Sequence, residues 1–127
     1  MLLQLDFTID TPIYRQIHDQ FVLGIAEGRL LPGEKMPSIR ALANETGVNM
    51  MTVNKAYQLL KQEGYISGDR RGGTAVCGHS DARSDELSKV KTFDELRLLA
   101  ASAKHAGITR ETWLDLCEKT YDGKERK

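Results

Sequence analysis

The chain has 127 residues, which is enough for one domain with an ordinary hydrophobic core, or for one domain and a small appendage. Its apolar fraction of 40% and charged fraction of 28% are typical of a globular protein and exclude a low-complexity chain. The 18 basic and 18 acidic residues cancel, so the net charge alone does not indicate binding to nucleic acid.

The N-terminus and the two cysteines indicate the compartment. The first ten residues, MLLQLDFTID, carry acidic residues where a signal peptide has basic ones, and no apolar stretch approaches the length of a membrane span. Cys77 and Cys117 stand in no metal-ligand spacing. We therefore expect a cytoplasmic protein that has reduced thiols, no membrane association, no metal and no cofactor.

The first elements are a strand and a helix. Apolar and polar residues alternate from Leu3 to Ile9, which predicts a short strand. Thr11 then suits an N-cap and Pro12 the first position of a helix that ends at Gly28. His18 is expected on the surface of this helix. Apolar residues recur along it at steps of four, namely Ile13, Ile17, Phe21 and Ile25.

The sequence pattern of residues 38–64 predicts two short helices joined by a tight turn. Ser38 can cap the first of them and Gly47 can end it. Asn49 can cap the second, with Val48 and Val53 as a hydrophobic staple. The second helix predicts a buried stripe of Val53, Ala56, Tyr57 and Leu60 and ends at Gly64. This arrangement is typical of a helix-turn-helix.

The outward face of the second of these helices suits DNA. Residues 49–62 contain two lysines and no acidic residue, so no carboxylate opposes the phosphate backbone. Amide, hydroxyl and ammonium groups can bond to base edges, and the N-terminal part of a recognition helix is the part that reaches them. The alternative is an ordinary solvated face. The predicted base-reading residues are Asn49, Met51, Thr52, Asn54 and Lys55.

A β-hairpin is predicted directly after the helix-turn-helix. Residues 65–67 and 74–77 suit two short strands, and the turn between them holds Arg70, Arg71 and Gly72. A hairpin in this position is a wing, whose arginines could neutralise phosphates or enter a minor groove. The alternative is a solvated turn, and Asp69 partly offsets the two arginines.

The remaining chain predicts a helical tail. One helix covers residues 85–106, either continuously from Asp85 or beginning at Phe93 after a capping box of Thr92 and Glu95. Thr109 caps a last helix whose apolar side is Trp113, Leu116, Cys117 and Tyr121.

Two helices of this size cannot bury both apolar stripes alone, so they must pack on the rest of the chain or on a second copy. Helix-turn-helix proteins bind two-fold related half-sites, which favours the second copy. The predicted dimer interface is Leu96, Leu99, Ala100, Ala103, Trp113 and Leu116.

These elements give the expected organisation. The fold class is mainly α with a small β wing: a winged helix-turn-helix followed by a two-helix dimerisation hairpin. The expected domains are residues 1–79 for DNA binding and 85–127 for dimerisation, with a linker at 80–84.

The sequence resembles the GntR family of bacterial transcription regulators, and the short tail is similar to that of its YtrA branch. The resemblance lies in residues 12–17 (PIYRQI), 28–43 (GRLLPGEKMPSIRALA), 52–57 (TVNKAY), 63–66 (EGYI) and 73–74 (GT). It implies a winged helix-turn-helix homodimer that represses transcription at a palindromic DNA operator. In this branch the regulated operon often encodes an ABC transporter.

The resemblance also implies the DNA contacts. It adds Ser38 and Arg40 to the DNA contacts, where they bind phosphate, and in the wing it places contacts on Arg71 and Gly72. Met50 and Met51 depart from the family's small polar residues or proline, and Ala75 replaces an aromatic residue. The tail is too short for the large effector domain of longer branches, and nothing in the sequence names a small-molecule effector.

Two other classes of function compete. An enzyme would need a catalytic arrangement, but His18, His79 and His105 stand on separate elements and no nucleophile motif accompanies them. A protein-interaction module is opposed by the polar, acid-free face of the second helix. The sequence therefore predicts a transcription regulator that binds double-stranded DNA and is not an enzyme.

Overall fold

The computed structural model describes residues 3–68, 73–78 and 86–124. The elements are α1 (Ile13–Ala26), α2 (Ile39–Thr46), α3 (Met50–Gln62), β1 (Ile66–Gly68), β2 (Thr74–Val76), α4 (Glu86–His105) and α5 (Arg110–Tyr121). The predicted fold class, mainly α with a small antiparallel sheet, is confirmed. The chain divides into two compact units, Met1–Ala82 and Arg83–Lys127, called here the N-terminal unit and the C-terminal unit.

The core of the N-terminal unit lies where α1 packs along α3. The ring of Phe21 on α1 meets the ring of Tyr57 edge-on, with 6.0 Å between their centroids. The predicted buried stripe of α3 is confirmed in full: Val53, Ala56, Tyr57 and Leu60. Because this stripe is buried against α1, the opposite face of α3 is turned to solvent.

The predicted strand at Leu3–Ile9 is wrong, since this segment is irregular. Glutamine side chains of α1 hold its backbone in place of a neighbouring strand. The N–H of Asp6 donates to Oε1 of Gln16 at 2.8 Å, and Nε2 of Gln16 donates back to the Asp6 carbonyl at 2.8 Å. Gln20 holds the backbone of Gln4 in the same way. Alternating hydrophobicity cannot reveal such side-chain partners.

A turn leads from this segment into α1. The Asp6 carboxylate accepts hydrogen bonds from the hydroxyl and the backbone N–H of Thr8, and both bonds lower the pKa of Asp6. Pro12 is the N-cap and α1 begins at Ile13, so the predicted Thr11 cap is wrong by one residue. The carbonyl of Thr11 instead accepts a bond from the Gln16 side chain.

His18 is buried, so the prediction that it lies on the helix surface is wrong. Its Nδ1 is 2.7 Å from Oδ1 of Asp19, and its Nε2 is 2.5 Å from Oε1 of Glu63. Glu63 is the C-cap of α3, so His18 ties the middle of α1 to the end of α3. A polar side chain is readily buried when hydrogen bonds satisfy it, and sequence periodicity does not show such bonds.

The substitution His18→Ala should lower the free energy of unfolding by about 1–3 kcal/mol, because it removes the imidazole partner of a carboxylate that is only 29% exposed. Urea denaturation followed by circular dichroism measures this change. Asp19→Ala is the matched control, because Asp19 is 52% exposed and should cost at most about 1 kcal/mol. Equal losses in the two variants would show that the contact with Glu63 contributes nothing.

The hairpin follows α3 and has a third partner that the sequence analysis missed. β1 and β2 are antiparallel, with Ile66 opposite Val76, close to the predicted bounds. Lys35, in the segment between α1 and α2, forms an antiparallel bridge with Ala75. The Val76 N–H donates to the carbonyl of Glu34 at 2.9 Å. The hairpin is therefore fixed to the segment that leads into α2.

The C-terminal unit consists of α4 and α5. Helix α4 is continuous through Thr92, so the alternative start at Phe93 is not used. Helix α5 begins after Thr109, whose side chain accepts a bond from the Thr112 N–H at 3.2 Å, as predicted. Of the predicted apolar side of α5, Trp113, Leu116 and Cys117 are half-buried, whereas Tyr121 is 93% exposed. None of the described helices is long and apolar enough to cross a membrane.

Candidate nucleic-acid interface

Capping residues fix where α2 begins and ends and where α3 begins. Oγ of Ser38 accepts a bond from the Ala41 N–H at 3.0 Å and caps α2. Gly47 ends α2 with a φ of 74°, a left-handed conformation that costs glycine little. Oδ1 of Asn49 accepts a bond from the Met51 N–H at 2.7 Å and caps α3. Both predicted caps and the predicted glycine stop are confirmed.

Buried contacts then hold α2 and α3 together. Val48 and Val53, on either side of the Asn49 cap, are both buried in the core. The hydroxyl of Tyr57 donates to the carbonyl of Pro37 at 2.7 Å, which joins α3 to the residue before the α2 cap. Burial raises the pKa of this hydroxyl, which therefore stays a hydrogen-bond donor. The two helices form a rigid support for the exposed face of α3.

The first two turns of α3 carry most of the predicted base-reading residues. Asn49, Met51, Asn54 and Lys55 are exposed and Thr52 is half-buried, so the helix brings them together on the solvent side. Ser38 and Arg40 are also exposed, at the start of α2. This surface offers amides, a hydroxyl and an ammonium group without a carboxylate, which are the groups that bond to base edges and phosphates.

The wing is described only in part. β1 ends at Gly68 and β2 begins at Thr74, and these two residues face each other in the sheet. The predicted contact residues Arg70, Arg71 and Gly72 lie outside the described residues.

Tyr14 also belongs to this surface, although the sequence analysis did not place it there. The ammonium group of Lys55 lies over the Tyr14 ring, 4.1 Å from its centroid. Tyr14 is half-buried against the core, so the ring is held in place beneath the lysine. This cation–π contact limits where the Lys55 ammonium can lie. No local pattern in the sequence pairs a residue of α1 with one of α3.

Among the residues that the structure describes, we find no candidate metal-binding site. Within these residues, no group of three His, Cys, Asp or Glu side chains could hold a metal ion. Cys77 and Cys117 are both free thiols. The described part of the chain also contains no buried side-chain nitrogen or oxygen that lacks a hydrogen-bond partner. The acid-free face of α3 is therefore the surface that needs a functional explanation.

Comparison with known proteins identifies the family. The family described as "Bacterial regulatory proteins, gntR family" matches residues 13–76. The chain is 34% identical to the HTH-type transcriptional repressor YtrA of Bacillus subtilis, over 87% of this chain and 85% of that protein. It is 33% identical to the HTH-type transcriptional regulator YhcF of the same organism, over 86% of this chain and 89% of that protein.

Solved structures have a similar fold. A transcriptional antiterminator from Listeria monocytogenes superposes with a TM-score of 0.85 at 28% identity, over 94% of this chain and 90% of that chain. YtrA from Sulfolobus acidocaldarius, a GntR-family transcription factor, has a TM-score of 0.59 at 36% identity, over 94% and 97%. AraR(DBD) in complex with operator ORX1 has a TM-score of 0.52 at 27% identity, over 58% and 93%.

The matched residues contain the helix-turn-helix and both strands of the hairpin. The alignments with these two relatives cover most of this chain and most of each relative, and they extend into the short tail that resembles the YtrA branch. The chain therefore belongs to the GntR family of helix-turn-helix transcription regulators, which bind operator DNA and are not enzymes.

Proposed function

We propose that this protein is a homodimeric repressor that binds a palindromic operator. The observation that carries the proposal is the rigid, acid-free face at the start of α3. Its backbone is fixed by the Asn49 cap, and most of its outward side chains are polar groups that can form hydrogen bonds. A helix of this kind fits the major groove, which is wide enough for an α-helix and shows a distinct pattern for each base pair.

In this proposal the DNA contacts divide into two classes. Ser38 and Arg40, at the start of α2, bind phosphates and set the orientation of the protein. In the wing, Arg71 and Gly72 are assigned to the backbone or the minor groove on the strength of the family resemblance, and Arg70 because of its place in the predicted turn. The residues assigned to base edges are Asn49, Met51, Thr52, Asn54 and Lys55.

The C-terminal unit is proposed as the dimer interface. Leu96 and Leu99 on α4 are 44% and 59% exposed, and no residue of α5 is fully buried. Apolar surface of this extent favours association with a second copy. The proposed interface consists of Leu96, Leu99, Ala100, Ala103, Trp113 and Leu116.

Repression is proposed from the relative named as a repressor, YtrA of Bacillus subtilis. A dimer bound across a promoter would exclude the polymerase from it, which needs no further chemistry from the protein. Because it would act on bacterial DNA, its place of work would be the cytoplasm.

The test is a footprint on a duplex obtained by in vitro selection from a random pool. We expect protection of a palindrome whose half-site centres lie about one helical turn apart. Arg40→Ala should weaken binding about tenfold or more, because it removes a charge-assisted bond to a phosphate in each half-site. The slope of log affinity against log salt should also fall, by about 0.9 for each lost phosphate contact.

Arg29→Ala is the matched control for Arg40→Ala. Arg29 lies beyond the C-terminal end of α1, is 54% exposed, and pairs with Glu27 at 2.9 Å. Removing it changes the net charge by the same amount and should leave both affinity and salt slope almost unchanged. No sequence-specific protection by the wild-type protein at any salt concentration would refute the proposed function.

A further inference from the structure

Met51 is the most exposed large apolar side chain among the described residues of the N-terminal unit. It is 80% exposed, whereas Met50 beside it is 48% exposed. A single exposed apolar residue is common on protein surfaces, so exposure alone indicates nothing. Its position within the DNA-binding face is what gives it meaning.

Met51 lies in the first turn of α3 and at the centre of the solvent face. Its N–H is held by the Asn49 side chain at 2.7 Å, so its backbone has a fixed place at the start of the helix. Lys55, Gln58 and Gln62 follow it at steps of three and four, opposite the buried stripe that contains Val53. A helix that enters the major groove would bring Met51 toward the base edges first.

The chemistry of methionine restricts what it can recognise there. A thioether is a weak acceptor and has no donor, so it cannot read the hydrogen-bond pattern of a base pair. The main apolar group in the major groove is the C5-methyl group of thymine. The side chain is unbranched and adaptable, which lets it cover a methyl group without strain. A protein partner is a poorer match, because the other side chains on this face are polar and make no continuous apolar patch.

We propose that Met51 is a specificity-determining residue that contacts the C5-methyl group of one thymine in each operator half-site. This inference rests on the proposed function. The hydrogen-bonding neighbours Asn54 and Lys55 position the helix on adjoining groups, and Met51 selects thymine over cytosine or uracil by apolar contact.

The experiment removes the methyl group from the DNA and the thioether from the protein, separately and together. In the duplex selected from a random pool, each thymine is replaced in turn by deoxyuridine. For the wild-type protein, one thymine position in each half-site should be sensitive to this replacement. Replacing that thymine in one half-site should weaken binding about three- to fivefold, as expected for the loss of one buried methyl group. Met51→Ala should bind the thymine and deoxyuridine duplexes equally well.

Met50→Ala is the control variant. It removes a neighbouring methionine that lies at the side of the helix, and it should keep the preference for thymine. Thermal unfolding midpoints of both variants should match the wild type, because neither side chain belongs to the buried core.

Two results would overturn the inference alone: selected half-sites that contain no thymine, or a deoxyuridine effect of equal size in the wild type and in Met51→Ala. In either case specific binding persists and the proposed function stands. If the wild-type protein bound no duplex specifically, the proposed function would fail and this inference with it.

Discussion

Leu60→Ala is expected to lower the free energy of unfolding of the N-terminal unit by about 2–5 kcal/mol and to remove most operator binding at 37 °C as a result. Leu60 is fully buried near the end of α3, within the core that joins this helix to α1. Truncating it removes apolar contacts and leaves a cavity that the rigid surroundings fill only in part. Because a domain of this size has a total stability of about 5–15 kcal/mol, a large share of it is lost.

Thermal and urea denaturation measure the effect, with a fall in the midpoint of roughly 4–8 °C for each kcal/mol. Leu23→Ala is the matched control, since the same change is made on α1 at a residue that is 52% exposed. It should change stability by no more than about 0.5 kcal/mol. Leu60→Met, which nearly conserves volume, should cost below about 1.5 kcal/mol. A Leu23→Ala variant as unstable as Leu60→Ala would contradict this account of the core.

The helix-turn-helix could be predicted from sequence because its signals are local. A capping residue acts on N–H groups two or three positions ahead, so Ser38 and Asn49 reveal where α2 and α3 begin. A glycine in the left-handed conformation ends the helix that precedes it, as Gly47 does. The apolar periodicity of α3, with Val53, Ala56, Tyr57 and Leu60 buried, decides which face is outward, and so most of the candidate site follows from local signals.

The contacts that the sequence did not predict join residues far apart in the chain. His18 meets Glu63 across a separation of 45 residues, and nothing near either residue predicts the other. The Lys35 bridge to Ala75 and the Lys55 contact with the Tyr14 ring are of the same kind. Periodicity reports only how apolar a face is, whereas these contacts depend on polar or charged partners that the fold brings together.

These long-range contacts have a common effect on the site. His18 holds the C-terminal end of α3, and Tyr14 lies against Lys55 nearer its beginning. Both residues belong to α1, for which the sequence analysis identified only a stripe of apolar residues. Helix α1 therefore orients α3 through specific polar contacts as well as through core packing, which suits the proposed fit of this helix into a groove.

Leu99→Asp is expected to convert the proposed dimer into a monomer and to weaken binding to the palindromic operator about 100-fold or more. Leu99 is 59% exposed in the single chain, so an aspartate there costs the folded protomer little. In an apolar interface, the same carboxylate would lose its hydration without gaining a partner. Each protomer would then bind its half-site alone, and the gain from simultaneous engagement of two half-sites would disappear.

Sedimentation equilibrium measures the mass, which should fall from twice the 14.2 kDa of the chain to that of one chain. Leu98→Asp is the control, because Leu98 is 75% exposed but lies about 100° around α4 from Leu99, outside the proposed interface. Affinity for an isolated half-site should be equal in the wild type and in Leu99→Asp, which separates loss of dimerisation from damage to α3. A Leu99→Asp protein that stays dimeric would exclude this face of α4 as the interface. If only Leu98→Asp made the protein monomeric, the interface would lie on the neighbouring face of α4.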